Sequence, residues 1–248
     1  MITQYRRPLT LDEAVALTAQ PDTVIIAGGT SVNADPGRSG ATAVDLQALD
    51  LGGIETNGGS IRIGATTRLQ DLVESDTVPP VLRDLARRDA PSTIRNAATV
   101  GGTIGTADPG SELLAGLLAF GAVVTLATSG STSDSMAEHA VDDILADPGL
   151  LDGAIMTDIT VPTTGFAATD RTGRTPMDRA IVMAVAHKDS GGHIRLAMTG
   201  VASLPLIVDP QRIEDLDPPS DFLGSSLYRR HIATVLASRV LTAVTEGE

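Results

Sequence analysis

Arg95-Asn96-Ala97-Ala98-Thr99-Val100-Gly101-Gly102-Thr103-Ile104-Gly105-Thr106-Ala107-Asp108-Pro109 is the stretch on which this chain's fold is decided. At its centre, two adjacent glycines are followed by a hydroxyl residue. The same tripeptide stands at Gly28-Gly29-Thr30, entered from the apolar run Val24-Ile25-Ile26-Ala27 and followed by Ser31-Val32-Asn33. Paired glycines let the main chain turn with positive φ and bring bare N–H groups against a ligand. Successive N–H groups in such a turn form an anion-binding concavity, and the next hydroxyl adds a donor. Two of these, converging from separate parts of the chain, hold a pyrophosphate between them. Each taken alone is more readily an ordinary strand-ending turn, and the matched pair leaves both readings standing.

Working outward, the local signals alternate. Thr10, with Glu13 three residues on, opens a helix to Ala19 in capping-box fashion. Val24 to Ala27 and Ala41 to Leu46 read as strands, and Ile54 to Ile63 as a hairpin around Asn57-Gly58. Thr67 and Gln70 start a second helix, and Val78-Pro79-Pro80 leads into a third that ends near Arg88. Asp108-Pro109 reads as a helix start whose buried face is Leu113, Leu114, Leu117 and Leu118. Strands come next at Ala122–Ala127 and Ala154–Val161, separated by a polar connection over Ser129 to Glu138.

From Thr163 the character changes. Gly165 to Arg174 is polar. A hairpin then runs through Arg179–Ala186, the turn at Asp189-Ser190-Gly191-Gly192, and Ile194–Ala202. Pro205 to Pro219 is irregular, and Leu227–Val244 is an amphipathic helix with Ile232, Val235, Leu236, Val240 and Leu241 inward. The mix is α+β.

Composition narrows the function. A formal charge of −13 disfavours nucleic acid and anionic membrane as partners. No stretch reaches the eighteen or so apolar residues that span a bilayer. The start, Met1 to Pro8, lacks the apolar core of a signal peptide, so the expected address is cytoplasmic. Cysteine is absent, which excludes disulfides, thiolate catalysis and Cys-ligated iron–sulfur clusters on this chain. His139, His187, His193 and His231 have no close ligand spacing, so no metal site is expected. With 2% aromatics and no Trp, ligand rings must pack against aliphatic side chains. The Gly-x-Gly-x-x-Gly fingerprint, the phosphate loop and the Gly-x-Ser-x-Gly elbow are all missing. No carboxylate pair stands out either, so no catalytic side chain is assigned. Any chemistry belongs to a bound cofactor.

The run from Arg95 through Asp108-Pro109-Gly110-Ser111-Glu112-Leu113 resembles the second flavin signature of molybdenum hydroxylase flavoprotein subunits, and Ala27-Gly28-Gly29-Thr30-Ser31 resembles the first. That family comprises the medium subunits of carbon monoxide dehydrogenase and the FAD domains of xanthine dehydrogenase. Val44-Asp45-Leu46, Ile61–Ala65, Ile159–Pro162 and Tyr228-Arg229-Arg230 fall in the family's order. The resemblance implies a two-lobed FAD-binding fold of the molybdopterin dehydrogenase type over residues 1–162, with subdomains of about 1–50 and 51–162. A small α+β C-terminal domain occupies 163–248, shortened between Leu204 and Leu227. It implies FAD held at Ala27, Gly28, Gly29, Thr30, Ser31, Val32 and Asn33 from one side, and at Thr99, Gly101, Gly102 and Thr103 from the other. Asp108 and Glu112 become candidates for cofactor hydroxyls or the adenosine end, with helix capping as their alternative. Ile25 and Met156 fall where relatives border the cofactor, although core packing suits them better. Arg95 is more readily a surface or ion-paired arginine than a phosphate ligand.

Two departures concern the flavin environment. Arg179 stands where relatives often carry an aromatic or aliphatic residue, and Asp170-Arg171 where they commonly carry a lysine. A cation at Arg179 beside the ring would favour reduced, anionic flavin.

The implied function is an electron-transfer subunit. Its partners are a molybdenum-cofactor large subunit and a 2Fe-2S small subunit, and its acceptor is NAD or quinone. A different class, a non-catalytic assembly or nucleotide-binding module without flavin, stays open. A self-sufficient flavin oxidase is disfavoured by the short chain and the missing cysteines.

Overall fold

The computed structural model describes residues 2–32, 41–130, 136–175 and 178–247. Asn33 and most of the polar connection after Ser129 lie outside the described residues.

Three sheets follow one another along the chain. The first is small and parallel: β1 (Ile2–Arg6), β2 (Thr23–Ile26) and β3 (Ala41–Asp45), with β3 central. Strands that run parallel in one sheet need crossovers, and α1 (Leu11–Thr18) supplies the one from β1 to β2, which flank β3. Thr10 caps α1 as read from sequence, accepting from Glu13 N at 3.2 Å. The return bond to the Glu13 carboxylate comes from Leu9 N, one residue earlier than in the standard box.

The second sheet is antiparallel, in the order β4-β5-β8-β6-β7. Its strands are β4 (Ile54–Asn57), β5 (Ser60–Gly64), β6 (Val123–Ala127), β7 (Ala137–Ala140) and β8 (Ile155–Pro162). The hairpin at Asn57-Gly58 forms as read, with Gly58 at φ 59°. Between β5 and β8 the chain forms α2 (Leu69–Glu74), α3 (Pro80–Asp89), α4 (Ser92–Arg95), α5 (Val100–Thr106), α6 (Glu112–Ala119) and α7 (Val141–Ala146), all of which but α4 share one core with this sheet. Every residue of α6 is buried. At Gly116 a Cβ would overlap Leu85 Cδ1, so the missing side chain lets α6 lie directly on α3.

The third sheet is antiparallel, β12-β11-β10-β9, from β9 (Phe166–Thr172), β10 (Val182–Lys188), β11 (Ile194–Thr199) and β12 (Leu206–Ile207). It is covered by α8 (Ser226–Glu246). The buried face of α8 is Ala233, Leu236, Ala237, Val240 and Val244. Ile232 and Leu241 flank it and are only partly buried, and Val235 is partly buried too. The alanines let the helix approach β9 and β10 closely, which turns the buried face from the expected position.

Three local readings are corrected. The polar stretch 165–174 is mostly strand β9, because pairing with β10 imposes extension on residues with no alternating pattern. α2 is not started by Thr67, whose hydroxyl bonds Gly53 O; the N–H of Arg68 bonds the Asp71 carboxylate instead. α6 is not started by Asp108-Pro109: Ser111 is its N-cap, accepting from Leu114 N at 3.0 Å.

Candidate functional site

The two glycine motifs meet. Gly29 takes φ 70°, as a tight turn after β2 requires. Gly28 lies so close to the main chain before α5 that a Cβ would overlap the Ala97 carbonyl oxygen. The hydroxyls of Ser31 and Thr106 close the contact at 3.0 Å. Behind the first loop, Gln47 Nε2 holds Ala27 O at 3.2 Å, and Asp45 accepts from Gln47 N and from the Tyr5 hydroxyl. The placement is therefore over-determined: a sheet edge on one side and a helix start on the other.

Between them opens a cavity of about 750 Å³, within the range that takes a cofactor-sized ligand. Its walls include Ile25, Ala27, Gly28, Gly29, Thr30, Ser31, Val32, Thr99, Gly101, Gly102, Thr103, Asp108 and Met156. Core packing, the better-supported reading of Ile25, is overturned: its side chain is 37% exposed, on the cavity wall. Met156 is partly buried, and its Cε stands where a Cβ on Gly105 would just touch it.

The two motifs are not equivalent, and here the sequence reading needs correction. Gly101 and Gly102 are not a positive-φ turn but the first turn of α5. Thr99 caps that turn through Gly102 N at 3.1 Å. Val100 N bonds Thr67 O, Gly101 N bonds Ala65 O and Thr103 N bonds Thr99 O, at 2.9–3.0 Å. All four amides are thus used internally. In the first loop, by contrast, the N–H groups of Gly28, Gly29 and Thr30 donate to no other described residue. Orphan amides need partners, and these border the cavity. Gly101 matters for a different reason: a Cβ there would lie 2.9 Å from Ala65 O, so its absence seats α5 on the end of β5.

Glu112 is brought elsewhere. It is 3% exposed, ion-paired with Arg171 at 2.9 Å and absent from the cavity wall, so its reading as a cofactor contact is overturned. Burial pushes its carboxyl up, opposed by the Arg171 and Arg88 charges. Asp108 does line the cavity, but it neither caps α6 nor stands alone. Its carboxylate accepts from Gly110 N and from Arg179 at 2.8 Å each. Burial works against its charged form, but the Arg179 and Gly110 bonds and the Arg179 charge outweigh it and hold the carboxyl below its usual range. Arg179 is also on the wall, and its guanidinium pKa is raised by the same pair. Arg95 bonds Gln70, Arg87 O and Ala90 O, bracing the chain that leads into α4 rather than facing a phosphate.

Sequence reasoning missed Asp89. It lies on the wall at the end of α3, where an acid after Arg87-Arg88 reads as a solvated helix terminus. Burial, its largest influence, pushes its carboxyl up, with Asp108 adding to the effect.

Glycine walls, unused amides at a strand end and a large groove between two sheets define a protein that holds an extended, phosphate-bearing ligand. The comparisons name it. The family model described as "FAD binding domain in molybdopterin dehydrogenase" matches residues 1–164. The uncharacterized protein YgfM of Escherichia coli K12 is 32% identical, covering 96% of this chain and 95% of its own. The glyceraldehyde dehydrogenase medium chain of Sulfolobus acidocaldarius is 29% identical over 81% of this chain and 82% of its own. The solved carbon monoxide dehydrogenase of Hydrogenophaga pseudoflava superposes with a TM-score of 0.84 at 25% identity, over 99% of this chain and 98% of that one. The chain belongs to the family of FAD-binding domains of molybdopterin dehydrogenases, a family of oxidoreductase flavoproteins whose cofactor is FAD. No helix among the described residues is long and apolar enough to cross a membrane.

The cavity fits that cofactor. A Cβ at Gly28 or Gly101 would collide with neighbouring main chain, so these glycines bring the two walls of the cavity together, and three unused amides stand ready for an anion.

Proposed function

We propose that this chain is the electron-transfer subunit of a molybdenum hydroxylase-type complex. It receives electrons from a 2Fe-2S small subunit, itself fed by a molybdenum-cofactor large subunit, and delivers them to NAD or quinone. The observation that carries the reading is the cavity wall: unused amides at Gly28–Thr30 face a glycine-lined helix start across one groove. When bound, FAD accepts electrons singly and releases them in pairs. The chain's residues do the holding. Gly28, Gly29 and Thr30 offer amides to the pyrophosphate, while Thr99, Gly101, Gly102 and Thr103 form the opposite wall that keeps it close. Ile25 and Met156 pack its apolar surface, and Ala27, Ser31 and Val32 fix the loop that presents the amides. Asp108, tied to Arg179, holds the rim. The FAD-binding unit is 1–162 and the remaining unit 163–248. The zero cysteine count fits clusters carried by another chain.

The test is a purification and a spectrum. The protein isolated with its neighbours should show flavin absorption bands and carry molybdenum and iron in its partner chains. A colourless protein that stays colourless after incubation with FAD replaces this reading with the assembly-module one.

A further inference from the structure

Two carboxylates line the cavity among the described residues, and only one is fully engaged. Asp108 spends both oxygens, on Gly110 N and on Arg179. Asp89 spends one: its Oδ1 accepts from Ser111 Oγ at 2.8 Å and from Leu113 N at 3.1 Å. Its Oδ2 takes no hydrogen bond from any described residue and is not among the sealed, unpartnered buried atoms. It therefore keeps open contact on a residue that forms the wall.

This placement is costly. An acid at the C-terminal end of α3 meets the negative end of the helix dipole. Burial opposes its charge and Asp108 stands nearby. Capping of α6 occupies only one oxygen of Asp89: Ser111 Oγ serves Leu114 N, and Asp89 Oδ1 serves Leu113 N. A carboxylate held by two donors, with one oxygen left over, is a preorganised acceptor. It repels phosphate and welcomes a hydroxyl.

We infer that Asp89 is a ligand-recognition residue, its Oδ2 accepting a hydrogen bond from a ribose or ribityl hydroxyl of the bound dinucleotide. The inference rests on the FAD reading. It places the sugar-recognition part of the groove at the junction of α3 and α6.

The experiment titrates FAD into the cofactor-free full chain, wild type and Asp89→Asn, and follows flavin fluorescence. Asparagine keeps an oxygen for Ser111 and Leu113, so D89N should melt no lower than wild type while its Kd for FAD rises about tenfold, as loss of one charge-assisted bond implies. ADP, titrated in parallel, identifies the hydroxyl: weakened binding of both ligands assigns the ribose, weakened binding of FAD alone the ribityl chain. Ser111→Ala, which frees the carboxylate but leaves it charged, should weaken FAD less than D89N. Equal FAD affinity of D89N and wild type overturns the inference and leaves the flavin reading standing. So does a larger loss in S111A than in D89N, which would make Asp89 a structural brace. A wild-type chain that takes up no FAD ends both.

Discussion

Residues 28–30 and 101–103 are the same tripeptide, Gly-Gly-Thr, in two backbone states. The first ends a strand, turns through positive φ and leaves its amides unused. The second is capped by Thr99, runs as helix and uses every amide internally. Their packed surroundings separate them. At Gly28-Gly29 the chain leaves β2, an edge strand of its sheet, and the following amides pair with no described residue. At Gly101 it docks on Ala65 and Thr67, which take two N–H groups before any ligand arrives. Identical sequence therefore gives a donor loop at one wall and a shaped surface at the other.

The largest expected effect that tests this difference is at Gly28. Gly28→Ala forces a methyl into the Ala97 carbonyl oxygen, a main-chain atom with nowhere to go. FAD affinity should fall at least a hundredfold and the fold should lose about 3 kcal/mol, as overpacking does. At Gly102 the added methyl meets only the Thr99 side chain, 2.9 Å away. The helix gain of Ala over Gly, about 1 kcal/mol, offsets the disturbed cap. Calorimetric titration and melting of the two variants side by side measure the contrast, and a G28A protein that binds FAD normally breaks it.

Thr99→Ala sharpens the same point. Losing the cap should cost about 1 kcal/mol, a fall of about 2–4 °C in Tm for a chain of this size. Thr30 caps nothing among the described residues, so Thr30→Ala should leave Tm nearly unchanged.

His187 is a control that does not line the cavity. It is buried, stacked on Phe120 with ring centroids 4.2 Å apart, and bonded to Thr164 O. Burial lowers its pKa despite that bond. The unfolded chain, titrating near 6.5, then binds the proton more tightly than the folded one, so stability is full above that pH and falls as pH drops through it. Urea midpoints between pH 7.5 and 5 should decline in the wild type and flatten in His187→Gln. A decline of equal slope in both would show that other groups carry it.

The smallest effect is expected at Arg179. Its pair with Asp108 is largely exposed, so Arg179→Leu should change stability by no more than about 0.5 kcal/mol. The flavin reduction potential is the informative measurement. A shift to lower potential supports a cation beside the ring, and an unchanged value removes that role.

Much of the fold was legible because its signals are local. A cap such as Thr10, a turn such as Asn57-Gly58 and a buried stripe such as Leu113 to Leu118 each act within a few residues. The β9 strand was not, since its extended state comes from pairing with β10 rather than from its own pattern. The start of α6 was misplaced because Asp108 and Ser111 are both good caps, and the Arg179 contact, 71 residues away, draws Asp108 aside. In the site, the glycine positions were legible and their roles only half so. Glu112 reads as an available carboxylate until Arg171 is folded against it, and Asp89 reads as solvent-facing until α6 closes over α3.

The sequence by itself determined where two glycine pairs allow close main-chain approach, because only residues without a side chain permit it, and its resemblance to a flavoprotein family implied FAD between them. The tertiary structure alone decided which amides remain available and which carboxylates line the cavity. A hydrogen-bonding group is spent or free according to neighbours far along the chain, and no local pattern records them.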